Sequence, residues 1–245
     1  MRIARVLAVV ACLCAGVPLA HAEPLQFSMA DVAVDFSSTS NPNGVWSYGW
    51  SLTLGSSLIL STSPRTRDGV ETWPGDLAAD GNPAEYHNGT PDVILLGGGA
   101  RFEPGQFGLH PGPGGEYAVV RYTAPAAGSA SITSEFSGQD TTGTSSDVHV
   151  LFNGLSLHNA VVEGNGSSSV VPFDRTLTVA MGDTIDFAVG FGTNGSFFGD
   201  STALAARIQL GPVSEPSPVP EPSTLALFAL GLVGLASRVM GRAFS

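Results

Sequence analysis

The chain predicts an all-β fold, an antiparallel β-sandwich of jelly-roll type, between two terminal segments of different character. Three observations carry that prediction. No stretch between Glu23 and Leu210 repeats apolar residues with the period of an amphipathic helix. Short runs instead alternate apolar and polar residues, as a strand with one buried face does. Gly, Pro and Asn punctuate these runs closely, with 31 glycines and 17 prolines in 245 residues, which suits a sandwich of many turns. An immunoglobulin-like sandwich is the alternative.

The first element, residues 1–22, reads as a secretory signal peptide. Arg2 and Arg5 form its basic start, Val6 to Ala20 its apolar run, and Ala20-His21-Ala22 its cleavage site. Gly16 and Pro18 interrupt a run already short for a membrane span. The two cysteines, Cys12 and Cys14, lie inside this peptide. A mature chain beginning at Glu23 therefore has neither a disulfide nor a thiolate metal site, and an apolar core must stabilise it.

Residues 23–210 form the expected sandwich domain. "PLQFSMADVAVDF" alternates through Leu25, Phe27 and Met29, then Val32, Val34 and Phe36. "SLTLGSSLILS" gives two short runs around Gly55. The segment from Arg65 to His87 alternates little and reads as a long loop or insertion over one face. "PDVILLGG", "EYAVVRYTAP" and "SASITSEFSG" follow as strands. Asn153-Gly154 marks a hairpin, because both residues tolerate the positive φ of a tight turn. Met181-Gly182-Asp183 turns a further strand pair, and "ALAARIQL" closes the domain.

The formal net charge is −11, and all ten basic residues are arginines. Arg2, Arg5, Arg238 and Arg242 belong to the terminal segments, so the middle is more acidic still. Such a surface repels nucleic acid and anionic lipid, which are bound mainly through cationic contacts. It suits cations, neutral sugars or plain solubility.

Residues 211–222 form a Pro-rich, extended linker, and residues 223–245 an apolar segment with a basic end. Leu225 to Ala236 would make a helix only about 18 Å long, against a bilayer core of about 30 Å. Extended from Pro222 to Met240, it predicts a short C-terminal transmembrane helix with Arg238 and Arg242 on the cytoplasmic side. Pro220, Glu221 and Pro222, then the apolar run, then Arg238, resemble the PEP-CTERM sorting signal of exported Gram-negative bacterial proteins. That resemblance implies export, transient anchoring in the inner membrane, and recognition by an exosortase-like membrane protease. It also implies a setting at the cell envelope or in extracellular polysaccharide. "DVHVLFNG", "GDTIDFAVG", Asp200 to Thr202 and the stretch from Asp35 to Trp50 resemble a β-sandwich domain recurrent in PEP-CTERM proteins. The first three of these are also similar to jelly-roll modules attached to carbohydrate-active enzymes. This resemblance implies a fold and a sugar-rich setting, with no assigned chemistry.

Trp46, Tyr48 and Trp50 are spaced two apart, so on a strand they share one face. Facing inward they fill the core; facing outward they form a stacking platform for sugar rings, joined by Trp73. Asp140, Asp147, Asp183, Asp186 and Asp200 border strands, where Asp serves turns or calcium. Asp31, Asp147 and Asp200 are the candidate calcium ligands. His87, His110, His149 and His158 show no metal-binding spacing. His110 and Glu116 flank a tight Gly/Pro loop, as an acid/base pair or simply a rigid turn. Gly97 to Arg101 lacks the lysine and following helix of a phosphate loop, and no serine sits in a G-x-S-x-G elbow. The expectation is an exported, non-catalytic structural or carbohydrate-binding module. The alternatives are a glycoside hydrolase or lyase built on two close carboxylates, and an adhesion or self-assembly subunit with an open edge strand or apolar patch.

Overall fold

Two antiparallel sheets face each other across one apolar core. The computed structural model describes residues 27–213. The expected signal peptide, the Pro-Glu-Pro stretch and the apolar segment with Arg238 lie outside the described residues. Among the described residues, no helix is long and apolar enough to cross a membrane.

The strands are β1 (Ser28–Asp31), β2 (Trp46–Ser51), β3 (Ile59–Leu60), β4 (Arg65–Arg67), β5 (Val70–Pro74), β6 (Ala84–His87), β7 (Ile94–Leu95) and β8 (Arg101–Phe102). There follow β9 (Phe107–His110), β10 (Tyr117–Thr123), β11 (Gly128–Gly138), β12 (Thr144–Phe152), β13 (Leu155–Gly164), β14 (Val171–Val179), β15 (Thr184–Gly190) and β16 (Thr202–Gly211). One sheet runs β14-β11-β16-β9-β6-β5-β4, and β1 adds to β16 beyond β9. The other runs β13-β12-β15-β10-β2-β3, and β7 pairs with β8 separately.

Strands β9 to β16 are arranged in jelly-roll order. The row β9-β16-β11-β14 in one sheet has the row β10-β15-β12-β13 as its counterpart in the other. The long strands justify their places by alternation. In β11, Ala130, Ile132, Ser134 and Phe136 point inward while Ser131, Thr133 and Glu135 point out. In β16, Leu204, Ala206, Ile208 and Leu210 point inward while Ala205, Arg207 and Gln209 point out. The β12–β13 hairpin turns at Asn153 and Gly154, both at positive φ, as their residue types predict.

Several local expectations are corrected. Arg65 to His87 is no long loop; it contributes β4, β5 and β6 to the larger sheet. Both faces of β5 are covered there, Trp73 by the main core and Val70 by a second apolar cluster under β7–β8. A strand buried on both sides shows no alternation. Met181 to Asp183 does not turn a paired hairpin. It carries the chain from β14 in one sheet to β15 in the other. Of "SLTLGSSLILS", Ser51 ends β2 and only Ile59 and Leu60 form a further strand. Leu54 and Leu58 instead pack onto Val119, Leu151 and Ala188, over the outer face of the smaller sheet. Phe27, Met29 and Val34 are exposed rather than inward.

Candidate functional site

The site grows from one end of the larger sheet. Leu109 of β9 lies in the core, so the next residue, His110, faces outward. His110 pairs with Ala84 of β6, and Tyr86, two residues on, faces the same side. There β7 and β8 lie over the sheet, and Tyr86 meets Phe102 with ring centroids 5.7 Å apart. A cavity of about 140 Å³ opens between this flap and the strand ends. Arg67, Asp80, Asn82, Tyr86, His110 and Asp140 line it, with Gly97, Gly98 and Phe198 at its rim. It is smaller than the ~300–1,000 Å³ of drug-sized sites, so it suits one ring rather than a long molecule.

Hydrogen bonds order the polar wall. Tyr86 donates its hydroxyl to Asn82 Oδ1 at 2.7 Å, and Asn82 Nδ2 donates to Asp80 Oδ2 at 3.0 Å. Arg67 Nη1 donates to the Asp80 carbonyl at 3.2 Å. Asp140 Oδ2 accepts the Ser201 N–H at 2.7 Å. Burial pushes the Asp140 carboxyl above its ordinary range and lowers the His110 imidazole, so His110 is neutral near pH 7. The aromatic wall is Phe198, 76% exposed and tilted against Phe197 with ring centroids 4.4 Å apart; Phe197 in turn meets His110 edge-on at 5.8 Å. Gly98 and Gly99 have φ of 135° and 104°, so the rim needs glycine. The result is a small hollow with an aromatic side and a fan of amide, hydroxyl, guanidinium and carboxylate groups.

The candidate stacking residues are elsewhere, and of their two readings the structure gives the core for three of the four. Trp46 and Tyr48 are fully buried, Trp73 is 3% exposed, and all three lie in the main core. Tyr48 and Trp73 stack on each other across the sandwich at 6.4 Å. Their indole N–H groups are also spoken for, Trp46 by Asp35 and Trp73 by the Ser37 carbonyl. They are core, not platform. Trp50, half-buried, lies against Gly75. Asp31, Asp147 and Asp200 are not gathered into one site. Asp31 pairs with Arg207 at 2.6 Å and accepts the N–H groups of Ala33 and Val34. Asp147 accepts from His149 at 2.7 Å, from Tyr117 and from the Gly192 N–H. Burial opposes its charge, but these donors outweigh burial and hold it below the usual carboxylate range. Asp200 is fully buried; Ser145 satisfies Oδ1, while Oδ2 has no partner. Burial foremost, then the neighbouring Asp140 and Asp147 charges, push it up to about 6.

The histidines separate as well. His87 stacks on Phe36 and faces Glu71; His158 lies against Phe173. Glu116 folds back onto the Gly114 N–H, which is turn chemistry, while His110 bonds to the Pro111 carbonyl. Among the described residues, no group of three or more His, Cys, Asp or Glu side chains is placed to hold a metal. Sequence reasoning missed Arg67, Asp80, Asn82, Tyr86 and Phe198. One signal was available: two adjacent phenylalanines, Phe197 and Phe198, in a Gly/Asn/Ser loop with no alternating pattern to bury both.

No curated protein matches the chain. It is similar in structure to CBM51 from Clostridium perfringens GH95 in complex with methyl-galactose, with 14% identity and a TM-score of 0.32, covering 61% of this chain and 94% of that one. It is similar also to a family 35 carbohydrate binding module from Clostridium thermocellum, with 10% identity and a TM-score of 0.28 over 60% and 98%. The C-terminal CBM6 of LamC, from Zobellia galactanivorans, shares 12% identity with a TM-score of 0.26 over 60% and 94%. With superpositions of this extent, the reading of the site rests on its own residues. The family model for the PEP-CTERM protein-sorting motif matches residues 218–242, the stretch holding Pro220, Glu221, Pro222 and Arg238. The motif marks the chain for export and processing at a membrane. The chain is therefore a β-sandwich protein that carries a PEP-CTERM protein-sorting motif at residues 218–242.

Proposed function

We propose that this protein is a non-catalytic, carbohydrate-binding component of the cell envelope or extracellular matrix, processed by an exosortase-like membrane protease. The observation that carries the binding function is the end cavity. It sets an exposed aromatic ring, Phe198, beside the polar fan of Arg67, Asp80, Asn82 and Asp140. A sugar presents C–H faces that pack on such a ring and hydroxyls that both donate and accept. The acidic surface, at −11 overall, favours a neutral sugar over a polyanion. Of the calcium expectation the proposal keeps Asp200 alone, because its buried Oδ2 is an acceptor without a protein partner, which a proton, a cation or a water donor would satisfy.

A glycan array probed with the purified full chain tests the proposal. Binding of neutral mono- or oligosaccharides, lost in Phe198→Ala, supports it; an array without any bound glycan overturns it. A hydrolytic reading draws on one observation, that Asp140, with its raised carboxyl, shares the cavity with Asp80. Release of reducing ends from a bound glycan, abolished in Asp140→Asn, would favour hydrolysis over binding. The processing arm is tested separately: a Glu221→Ala chain should stay membrane-associated at its full mass in cells that possess an exosortase.

A further inference from the structure

The outer face of the larger sheet carries a second depression, on the other side of β8 from the end cavity. Phe102 of β8 faces the cavity, while Arg101 and Glu103 face this trough. Two hollows of about 520 and 320 Å³ form it and share Gln106 and Ser137. It follows β11 and β16, where the outward residues Thr133, Ser137, Ala203 and Ala205 are small and keep the floor low between the longer side chains of Glu135 and Arg207. Thr133 to Ser137 alone spans about 14 Å at roughly 3.4 Å per residue, and the trough continues past Gln139 to Thr141 and Asn165.

Small residues alone would be only a smooth sheet face. The junction of the two hollows adds a specific polar pair. Gln139 is 4% exposed, and its Nε2 donates to Gln106 Oε1 at 3.0 Å. That same Gln106 oxygen accepts the Glu103 N–H at 2.9 Å. Gln139 Oε1 is left without any partner, and Gln106 Nε2 donates to no protein group among the described residues. Gly108 makes room for this arrangement, since a Cβ there would collide with Gln139 Oε1. A buried amide oxygen without a partner is costly to folding and is seldom kept without a use. Gln106 Nε2 is the donor a ligand hydroxyl meets first; Gln139 Oε1 is closed to solvent as placed and accepts from a neighbouring hydroxyl once its amide turns toward the trough.

Charge narrows the ligand. The trough's arginines are already paired, Arg207 with Asp31 at 2.6 Å and Arg101 with Glu103 at 2.8 Å. No unpaired cation among its lining residues faces a polyanion, and the chain as a whole is acidic. We propose that the trough is a second ligand site, which takes a linear, neutral polysaccharide along β11 and β16 and holds a vicinal diol between Gln106 and Gln139. The proposal shares the ligand class of the end cavity but none of its residues.

Affinity electrophoresis of the full chain through gels containing hydroxyethylcellulose or glucomannan, with alginate as the anionic control, tests it. The variants are Ala205→Trp, which fills the trough, and Gln106→Ala, which removes the amide. Phe198→Ala is the comparator in the cavity, and unchanged thermal melting checks each fold. The expected result is retardation by a neutral polymer and not by alginate, weakened about tenfold, a difference of ~1.4 kcal/mol, in both trough variants. Retardation that survives both Ala205→Trp and Gln106→Ala overturns the trough, even where Phe198→Ala abolishes it and so supports the cavity. Retardation lost in the trough variants but kept in Phe198→Ala supports the trough and removes the cavity. No retardation by either neutral polymer overturns the trough; monosaccharide binding on the array then leaves the cavity standing.

Discussion

Arg121 and Asp186 form a two-pronged ion pair across β10 and β15, with Nε to Oδ1 at 2.6 Å and Nη2 to Oδ2 at 2.8 Å. The two residues are direct partners in the strand register. Gly55, Ser56 and Leu58 of the preceding loop close over them, leaving the Asp186 side chain 5% and the Arg121 side chain 24% exposed. The planar guanidinium fork matches the carboxylate, which makes this the strongest ion-pair geometry in the smaller sheet.

Breaking that pair from one side should cost more than removing it. Asp186→Asn leaves a largely covered guanidinium without its counter-charge, and we expect a loss of about 3 kcal/mol. The double variant Arg121→Met with Asp186→Leu should lose much less, because no charge is stranded. Urea denaturation of the single and double variants measures both. Equal losses would show that the pair contributes only its packing.

Glu85 makes the stability of the sandwich depend on pH. It is fully buried between the sheets, beside Trp73 in the strand register, and neither carboxylate oxygen has a partner. Burial holds its carboxyl well above the usual range, so the folded protein keeps it protonated. The folded pKa lies above the unfolded one. Stability is therefore complete below the ordinary glutamate range and falls as pH rises from there toward the folded value. Glu85→Gln should flatten this slope and stabilise the protein at pH 7 relative to the parent. Denaturant midpoints between pH 4 and 8 check it; parallel pH profiles for parent and variant would contradict it.

Asp200 has the same sign with a defined window. Its stability contribution is full below the ordinary aspartate range and is lost as pH rises through about 6. Asp200→Asn should raise the melting temperature at pH 7 and change it little at pH 4. A cation on Oδ2 would act in place of the proton. If calcium is that cation, its addition at pH 7 raises the melting temperature of the parent but not of Asp200→Asn. Equal responses of the two proteins would place calcium elsewhere or nowhere.

The end cavity predicts a separation of binding from stability. Phe198 is mostly exposed, so Phe198→Ala should change stability by less than about 0.5 kcal/mol while weakening sugar binding about tenfold or more. Tyr86→Phe removes the hydroxyl that donates to Asn82 and should release the Asn82 amide from its fixed direction. We expect weaker binding there with a small stability cost of about 1 kcal/mol. Calorimetric titration and thermal melting on the same samples read the two quantities independently.

Much of this protein was legible as a string. The sorting motif at residues 218–242 is a linear signal, recognised in order along the chain and needing no partner from elsewhere. The hairpin at Asn153-Gly154 was legible because positive φ is a property of those two residues themselves. The long strands β11 and β16 were legible because one face of each meets solvent, so their sequences alternate. Tertiary structure decided the rest. Strand β5 hides both faces, one under β7–β8 and one in the core, and with no exposed face no alternation was written. Spacing placed Trp46, Tyr48 and Trp50 on one side of a strand, but only the opposing sheet made that side the inside for Trp46 and Tyr48. The end cavity draws on residues from Arg67 to Ser201, brought together because jelly-roll order returns β16 to a place beside β9. A site assembled by long-range pairing leaves no local spacing to read, since its neighbours in space are set by sheet order rather than by sequence distance.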